Sequence, residues 1–104
     1  MKEAARVFRA LADRTRRQIL LELKAGELSA GDIGKRFEIS GPSISRHLAI
    51  LKAADLVTER RQGNRILYRL EPERLAVCLN DFLSNVCPTQ ILRRRRRPAG
   101  ESSS

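Results

Sequence analysis

Ser40 to Leu56 reads SGPSISRHLAILKAADL, and the rest of the chain can be placed from this stretch. Ser40 is a strong helix N-cap, because its hydroxyl can accept from a backbone N–H of the first turn. Gly41 and Pro42 follow, where a missing proline N–H costs nothing. Ile44, Leu48 and Leu51 recur at four and three residues and so share one helical face. Ser43, Ser45, Arg46 and His47 lie off that stripe or on its flanks, and no acidic residue follows until Asp55. A major groove admits an α-helix, and its base edges and phosphates favour such side chains. The segment reads as a recognition helix, with an ordinary amphipathic helix bearing a solvated polar face as the plainer alternative.

Upstream, Ala4, Val7, Phe8 and Leu11 have helical spacing within Glu3 to Ala12. Asp13 can cap a second helix with Ile19, Leu20 and Leu23 inward and Gly26 after its end. Arg14, Arg16 and Arg17 in its first turns read as a solvated face. Ser29-Ala30-Gly31-Asp32 has capping-box spacing, opening a third helix with Ile33 and Phe37 inward. Glu38-Ile39-Ser40 is then a tight connection into the recognition helix. Two short helices so joined make a helix-turn-helix.

Downstream the period changes. Val57–Arg61 and Arg65–Leu70 flank Gln62-Gly63-Asn64, in which Gly63 and Asn64 both tolerate positive φ, so a β-hairpin is expected. Arg60, Arg61, Asn64 and Arg65 at its tip and flanks suit the phosphate backbone or a narrow minor groove. Protective charge on an exposed sheet edge is the competing explanation. Glu71-Pro72 starts a final helix whose Leu75, Cys78, Leu79, Phe82, Leu83 and Val86 form a stripe too wide for so small a core. The first and last helices are therefore expected to meet a partner subunit, through Val7, Phe8, Leu75, Leu79, Phe82 and Val86.

The expected fold class is mainly α with a small β-hairpin: a winged helix-turn-helix of about five helices plus a two-stranded wing. Residues 1–88 form one domain for DNA binding and dimerisation, and residues 89–104 a basic, Ser-rich disordered tail containing Arg93 to Arg97. The net charge is +9, and +5 remains without the residues beyond 92, so the folded part is itself basic. That favours a polyanionic partner, nucleic acid or an anionic membrane surface. No apolar run approaches the roughly 20 residues of a membrane span, and no signal-peptide pattern opens the chain. A cytoplasmic protein with reduced thiols is expected. No nucleophile–base set or carboxylate pair suggests an enzyme.

In order, DRTRRQILLEL, SGPSISRHLAILKAADLV and GNRILYRL resemble the ArsR/SmtB family of winged helix-turn-helix repressors, from about Phe8 to Leu70. The segment GDIGKRFEISGPSISRHLAILKAADLV is most similar to the SdpR-like autorepressor branch, which is not usually classed as metal-sensing. The resemblance implies a homodimer formed through the first and last helices that represses transcription from an inverted-repeat operator in double-stranded DNA. Carried over by position, the operator-contacting stretch covers Gly41, Pro42, Ser45 and Arg46, with Ser43 and His47 beside them; Ser40, which caps the helix, is counted with the DNA-binding candidates. Many relatives have a polar side chain where Gly41 and Pro42 stand, so Ser45 and Arg46 carry more of the readout. Arg61, Asn64 and Arg65 match the wing.

Family arsenic and cadmium sensors place a CxC pair where this chain has Leu28-Ser29-Ala30-Gly31. Zinc and nickel sensors use histidines and carboxylates on the last helix, whereas the only histidine here is His47. Such ions need thiolate or imidazole ligands, so no metal site and no cofactor are expected. Cys78 and Cys87 remain, about 13 Å apart along a continuous helix and too far to bond. Cys78 reads as a small core residue, and Cys87 beside Pro88 as the better reactive or intersubunit thiol. Two other functions stay in view. One is a redox-responsive repressor using Cys87 or Cys78, the other a winged-helix protein-interaction module whose basic face only solubilises it.

Overall fold

The computed structural model describes residues 2–88. Five helices and three strands follow one another: α1 Lys2–Leu11, α2 Arg14–Leu23, β1 Leu28–Ser29, α3 Ala30–Phe37, α4 Gly41–Ala53, β2 Val57–Gln62, β3 Arg65–Leu70 and α5 Pro72–Val86. The expected tail at 89–104 lies outside the described residues. No described helix is long and apolar enough to cross a membrane.

The caps sit where side-chain chemistry puts them. Asp13 accepts from the Arg16 backbone N–H, and Ser40 from that of Ser43. Ser29 and Asp32 form a complete capping box at the start of α3, each side chain satisfying the other's backbone donor. Val7, Ala10, Ile19, Leu23, Ile33, Ile44, Leu48, Leu51, Leu56 and Val57 build one buried cluster. Ile44, Leu48 and Leu51 are the stripe read from the sequence, and α4 is thereby fixed through its inner face. A Cβ at Gly34 would sit 3.4 Å from the Ile39 carbonyl oxygen and 3.7 Å from the Ile44 side chain. Both are ordinary van der Waals distances, so α3 packs directly against the start of α4 at this point.

Two features depart from the sequence expectation. The hairpin is widened to a three-stranded antiparallel sheet in the order β1-β3-β2, because Leu28 and Ser29 pair with Tyr68 and Leu67. A two-residue strand is too short to leave an alternating pattern. The hairpin itself pairs Gln62 with Arg65 across a two-residue loop. Gly63 has φ 63° while Asn64 does not share the positive region. Positive φ at the first loop position alone is the mark of a type II′ turn, whose twist matches the flanking strands.

The step out of α4 was not visible as a glycine signal. Asp55 adopts φ 61°, the Leu56 N–H donates to the Leu51 carbonyl at 3.0 Å and the Asp55 N–H to that of Lys52 at 2.9 Å. This is a Schellman closure with an aspartate in the left-handed position that short polar side chains tolerate. It drops Leu56 and Val57 straight into the core and launches β2 from the end of α4.

Candidate nucleic-acid interface

With its apolar stripe buried, α4 presents Ser40, Gly41, Pro42, Ser45 and Arg46 to solvent, with Ser43 half-buried. Ser40 and Ser43 are bound to each other, their hydroxyl oxygens 3.2 Å apart. No acidic residue occupies the first turn, so the partial positive charge of the helix N-terminus stays uncompensated. The space around Gly41 is open, with nothing within 4 Å of an added Cβ. A flat backbone at the tip of the helix can therefore approach a large partner closely. Arg46 makes no ion pair or hydrogen bond among the described residues, and its guanidinium is available to an outside acceptor.

His47 is placed differently. Its side chain is 19% exposed and turned toward the start of α2, where Nδ1 lies 3.3 Å from an Arg16 guanidinium nitrogen and 3.9 Å from the Asp13 carboxylate. The hydrogen bond from the Arg16 backbone N–H, followed by the Arg16 charge, holds the Asp13 carboxyl below the usual range. Arg16 and Arg17 correct the expectation of a solvated face. Arg16 donates to the Ala10 and Arg9 carbonyls at 2.9 and 3.0 Å, and Arg17 to the Leu11 carbonyl at 2.7 Å. They belong to the last turn of α1, whose carbonyls run out of helical donors, and the Arg9 carbonyl also accepts from the Ala12 N–H at 3.2 Å. Spacing along α2 alone gave no sign of it, since the acceptors belong to another helix.

The wing's arginines divide by face. Cross-strand pairs share a face of the sheet, so Arg60 goes with Leu67, and Arg61 with Ile66. Val57, Tyr68, Leu70 and Leu28 belong to Arg61's face, the one packed on the body of the domain. Lys52 of α4 pairs with Glu59 on that face at 3.0 Å, and Glu59 also accepts from Tyr68, fastening the wing's base to the end of α4. Burial and the Glu59 charge both push the Tyr68 phenol up, keeping it neutral. On the other face Arg60 donates twice to Glu27 at 2.7 and 2.8 Å, and Arg65 donates to Asp32 at 2.8 Å. The Arg60 hydrogen bond and charge lower the Glu27 carboxyl. Asp32 is lowered first by its Ser29 hydrogen bonds and then by Arg65. Of the named wing residues Arg61 and Asn64 are exposed and have no partner among the described residues, whereas Arg65 already has one.

The surface proposed for a partner subunit is also partly used. Val7 is fully buried within the monomer, and Leu75 and Cys78 pack on the core. Phe8 and Phe82 remain 37% and 47% exposed, meeting edge to face at 5.2 Å. Val86 is exposed and Leu79 half-buried on the same helix. Ala4, Phe8, Val77, Cys78 and Phe82 line an open groove between α1 and α5. Cys78 and Cys87 are both free and half-buried, Cys87 terminating α5 with its N–H on the Leu83 carbonyl at 2.7 Å. Among the described residues no group of three or more His, Cys, Asp or Glu could hold a metal ion.

A capped helix projecting from a helix-turn-helix, with a basic antiparallel wing beside it, defines a winged helix-turn-helix DNA-binding protein. Residues 4–60 match the family model described as a helix-turn-helix domain. The chain is 47% identical over 78 residues to the transcriptional repressor SdpR of Bacillus subtilis, covering 75% of this chain and 87% of that protein. It is 39% identical to an arsenical resistance operon repressor of Staphylococcus xylosus, over 71% of each chain. Among solved structures it is similar to an ArsR-like transcriptional regulator from Rhodococcus sp. RHA1, with TM-score 0.74, 32% identity and coverage of 99% and 93%. HlyU from Vibrio cholerae is similar at TM-score 0.65 and 32% identity, covering 84% of this chain and 95% of that one. The chain belongs to the ArsR family of transcriptional regulators. That family binds DNA and is not enzymatic.

Proposed function

We propose that this regulator is a cytoplasmic repressor that binds an inverted-repeat operator as a homodimer and needs no metal effector. One observation carries the reading: Arg46 stands exposed, with no partner among the described residues, near the start of a Ser-capped helix whose other face is locked into the core. A recognition helix in the major groove uses its N-terminal residues on base edges, with Ser45 and Arg46 best placed here. Ser40, Gly41, Pro42 and Ser43 border the contact, and Arg61 and Asn64 extend it from the wing. Dimerisation is supported by Phe8, Phe82 and Val86, which leave an apolar strip along α1 and α5. A two-fold axis through that strip gives two recognition helices for two half-sites about 10 base pairs apart or a multiple of it. Repression is what the names of two relatives state of those proteins. Independence from metals is supported by the lack of a ligand cluster among the described residues, the one histidine being engaged by Arg16.

The test is to select bound fragments from a random DNA pool with the full chain, then titrate the best one across salt with and without zinc or cadmium. Enrichment of inverted repeats, binding that weakens steeply with salt, dimers in sedimentation and indifference to metal are expected. Fragments without symmetry bound by a monomer would sink the dimeric reading. Release of DNA by stoichiometric metal would sink the metal-free one.

A further inference from the structure

Arg16 performs three tasks with one guanidinium. Its Nε and one terminal nitrogen hold the Ala10 and Arg9 carbonyls at the end of α1, at 2.9 and 3.0 Å. The other terminal nitrogen reaches His47 Nδ1 at 3.3 Å, across 31 residues of sequence, on the helix that carries Arg46. Its own backbone N–H is fixed by the Asp13 cap at 3.0 Å, so the base of the side chain is held as well. A guanidinium has donors only, so His47 Nδ1 must accept and the ring proton must sit on Nε2. His47 is one residue from Arg46, and its side chain ties the middle of α4 to the start of α2 by a polar contact, as Lys52 ties the end of α4 to Glu59.

We infer that Arg16 and His47 form a positioning link that sets the rotation and depth at which α4 presents Ser45 and Arg46, and that couples this pose to α1. The buried contacts of Ile44, Leu48 and Leu51 fix the inner face of α4, but they make no directional contact on the flank beside Ser45 and Arg46. A directional contact to a planar ring resists rotation about the helix axis. The same guanidinium caps the end of α1, which contributes Phe8 to the exposed apolar strip. Anything that shifts α1, docking on that strip included, is thereby transmitted to the recognition helix. His47 acts through this link and does not itself touch DNA. This inference rests on the reading of α4 as the DNA-contacting helix.

The chain has a single histidine, so long-range nitrogen–proton correlation of its imidazole is unambiguous. The wild type should show the Nε2–H tautomer, and Arg16→Ala should release it to a mixture. Wild-type protein in the Nδ1–H form would overturn the link without need of any variant. Affinity for a selected operator is then compared for Arg16→Ala, Arg16→Lys, His47→Ala, the Arg16→Ala/His47→Ala double variant and His47→Asn. Either alanine should weaken binding by roughly tenfold, with the double variant no weaker than the singles, as coupled neighbours behave. Lysine cannot span all three acceptors and should behave like alanine. Asparagine, whose amide oxygen stands near the place of Nδ1, should restore binding to within about twofold. Additive losses, or an asparagine variant as weak as alanine, would overturn the link and make His47 a direct contact. Arg46→Ala separates the two layers. If it weakens operator binding, additivity condemns the link alone; if it does not, the recognition-helix reading falls and the link's role falls with it.

Discussion

The recognition helix and the wing both carry arginines, and the structure treats them in opposite ways. Arg46 on α4 has no acidic residue in the first turn of its helix, sits near the positive end of that helix and makes no ion pair or hydrogen bond among the described residues. On the wing, Arg60 and Arg65 are already paired with Glu27 and Asp32 on one face of the sheet, while Arg61 on the opposite face has no partner among the described residues. Equal residue types therefore do not mean equal availability. A free cation gains a phosphate or a base edge outright, while a paired one must first give up a carboxylate. The carboxylates also serve the fold, since Asp32 closes the capping box of α3 while holding Arg65.

The contrast can be broken most heavily from beneath the helix. Leu48 is buried under α4. Leu48→Ala should cost about 2–5 kcal/mol of unfolding free energy in denaturant titration. If instead it leaves stability untouched while altering DNA binding, the inner face of α4 is not the anchor described here.

Arg46→Ala comes next. It should cost roughly 1–3 kcal/mol on the operator and relax the preference at one position in each half-site. An equal loss on random DNA would make Arg46 a phosphate contact and bring helix and wing closer together in role.

The wing residues should act more weakly and without regard to sequence. Arg61→Ala is expected to weaken operator and random DNA by similar factors and to lower the salt slope by about one unit per site. Arg65→Ala should do less, because Asp32 competes for its charge; measured slopes in the reverse order would show that DNA strips Arg65 from Asp32. Asp32→Asn sharpens the point, since it should raise the contribution of Arg65 to DNA binding at low salt while weakening the cap of α3.

The smallest effect is on stability against acid. Asp13, Glu27 and Asp32 all have folded values below the ordinary carboxylate range. A depressed folded value means that the contribution is complete above the unfolded value, roughly 4, and is lost as pH falls through the folded one. The melting temperature should thus stay flat from pH 7 to about 5 and decline below about 4. A decline already under way at pH 6 would implicate another group. High salt at neutral pH should reproduce part of the loss in the wing pairs and none in the Ser40 cap, which is uncharged.

Local signals were enough for the helices and their order. Ser40, Ser29 and Asp13 mark helix starts because a short side-chain acceptor next to free backbone donors is a local event. The 3.6-residue stripe in α4 and the Gly63 turn are local for the same reason, and they made the winged helix-turn-helix legible from the chain alone. The family resemblance then rested on motifs lying within those elements.

What required the tertiary structure is every property that depends on which groups distant in sequence come together. Leu28 and Ser29 become a strand only because β3 offers them an edge. Val7, expected at a subunit interface, is enclosed by its own chain, while Phe8 beside it remains half open. Arg16, His47, Arg60 and Arg65 are indistinguishable by spacing from solvated residues, and their partners lie 7, 31 and 33 positions away. Periodicity reports which face of a segment is apolar. It carries no information about which charge will stand opposite another, because that is set by how the elements pack, and among the described residues that packing leaves Arg46 and Arg61 without a partner.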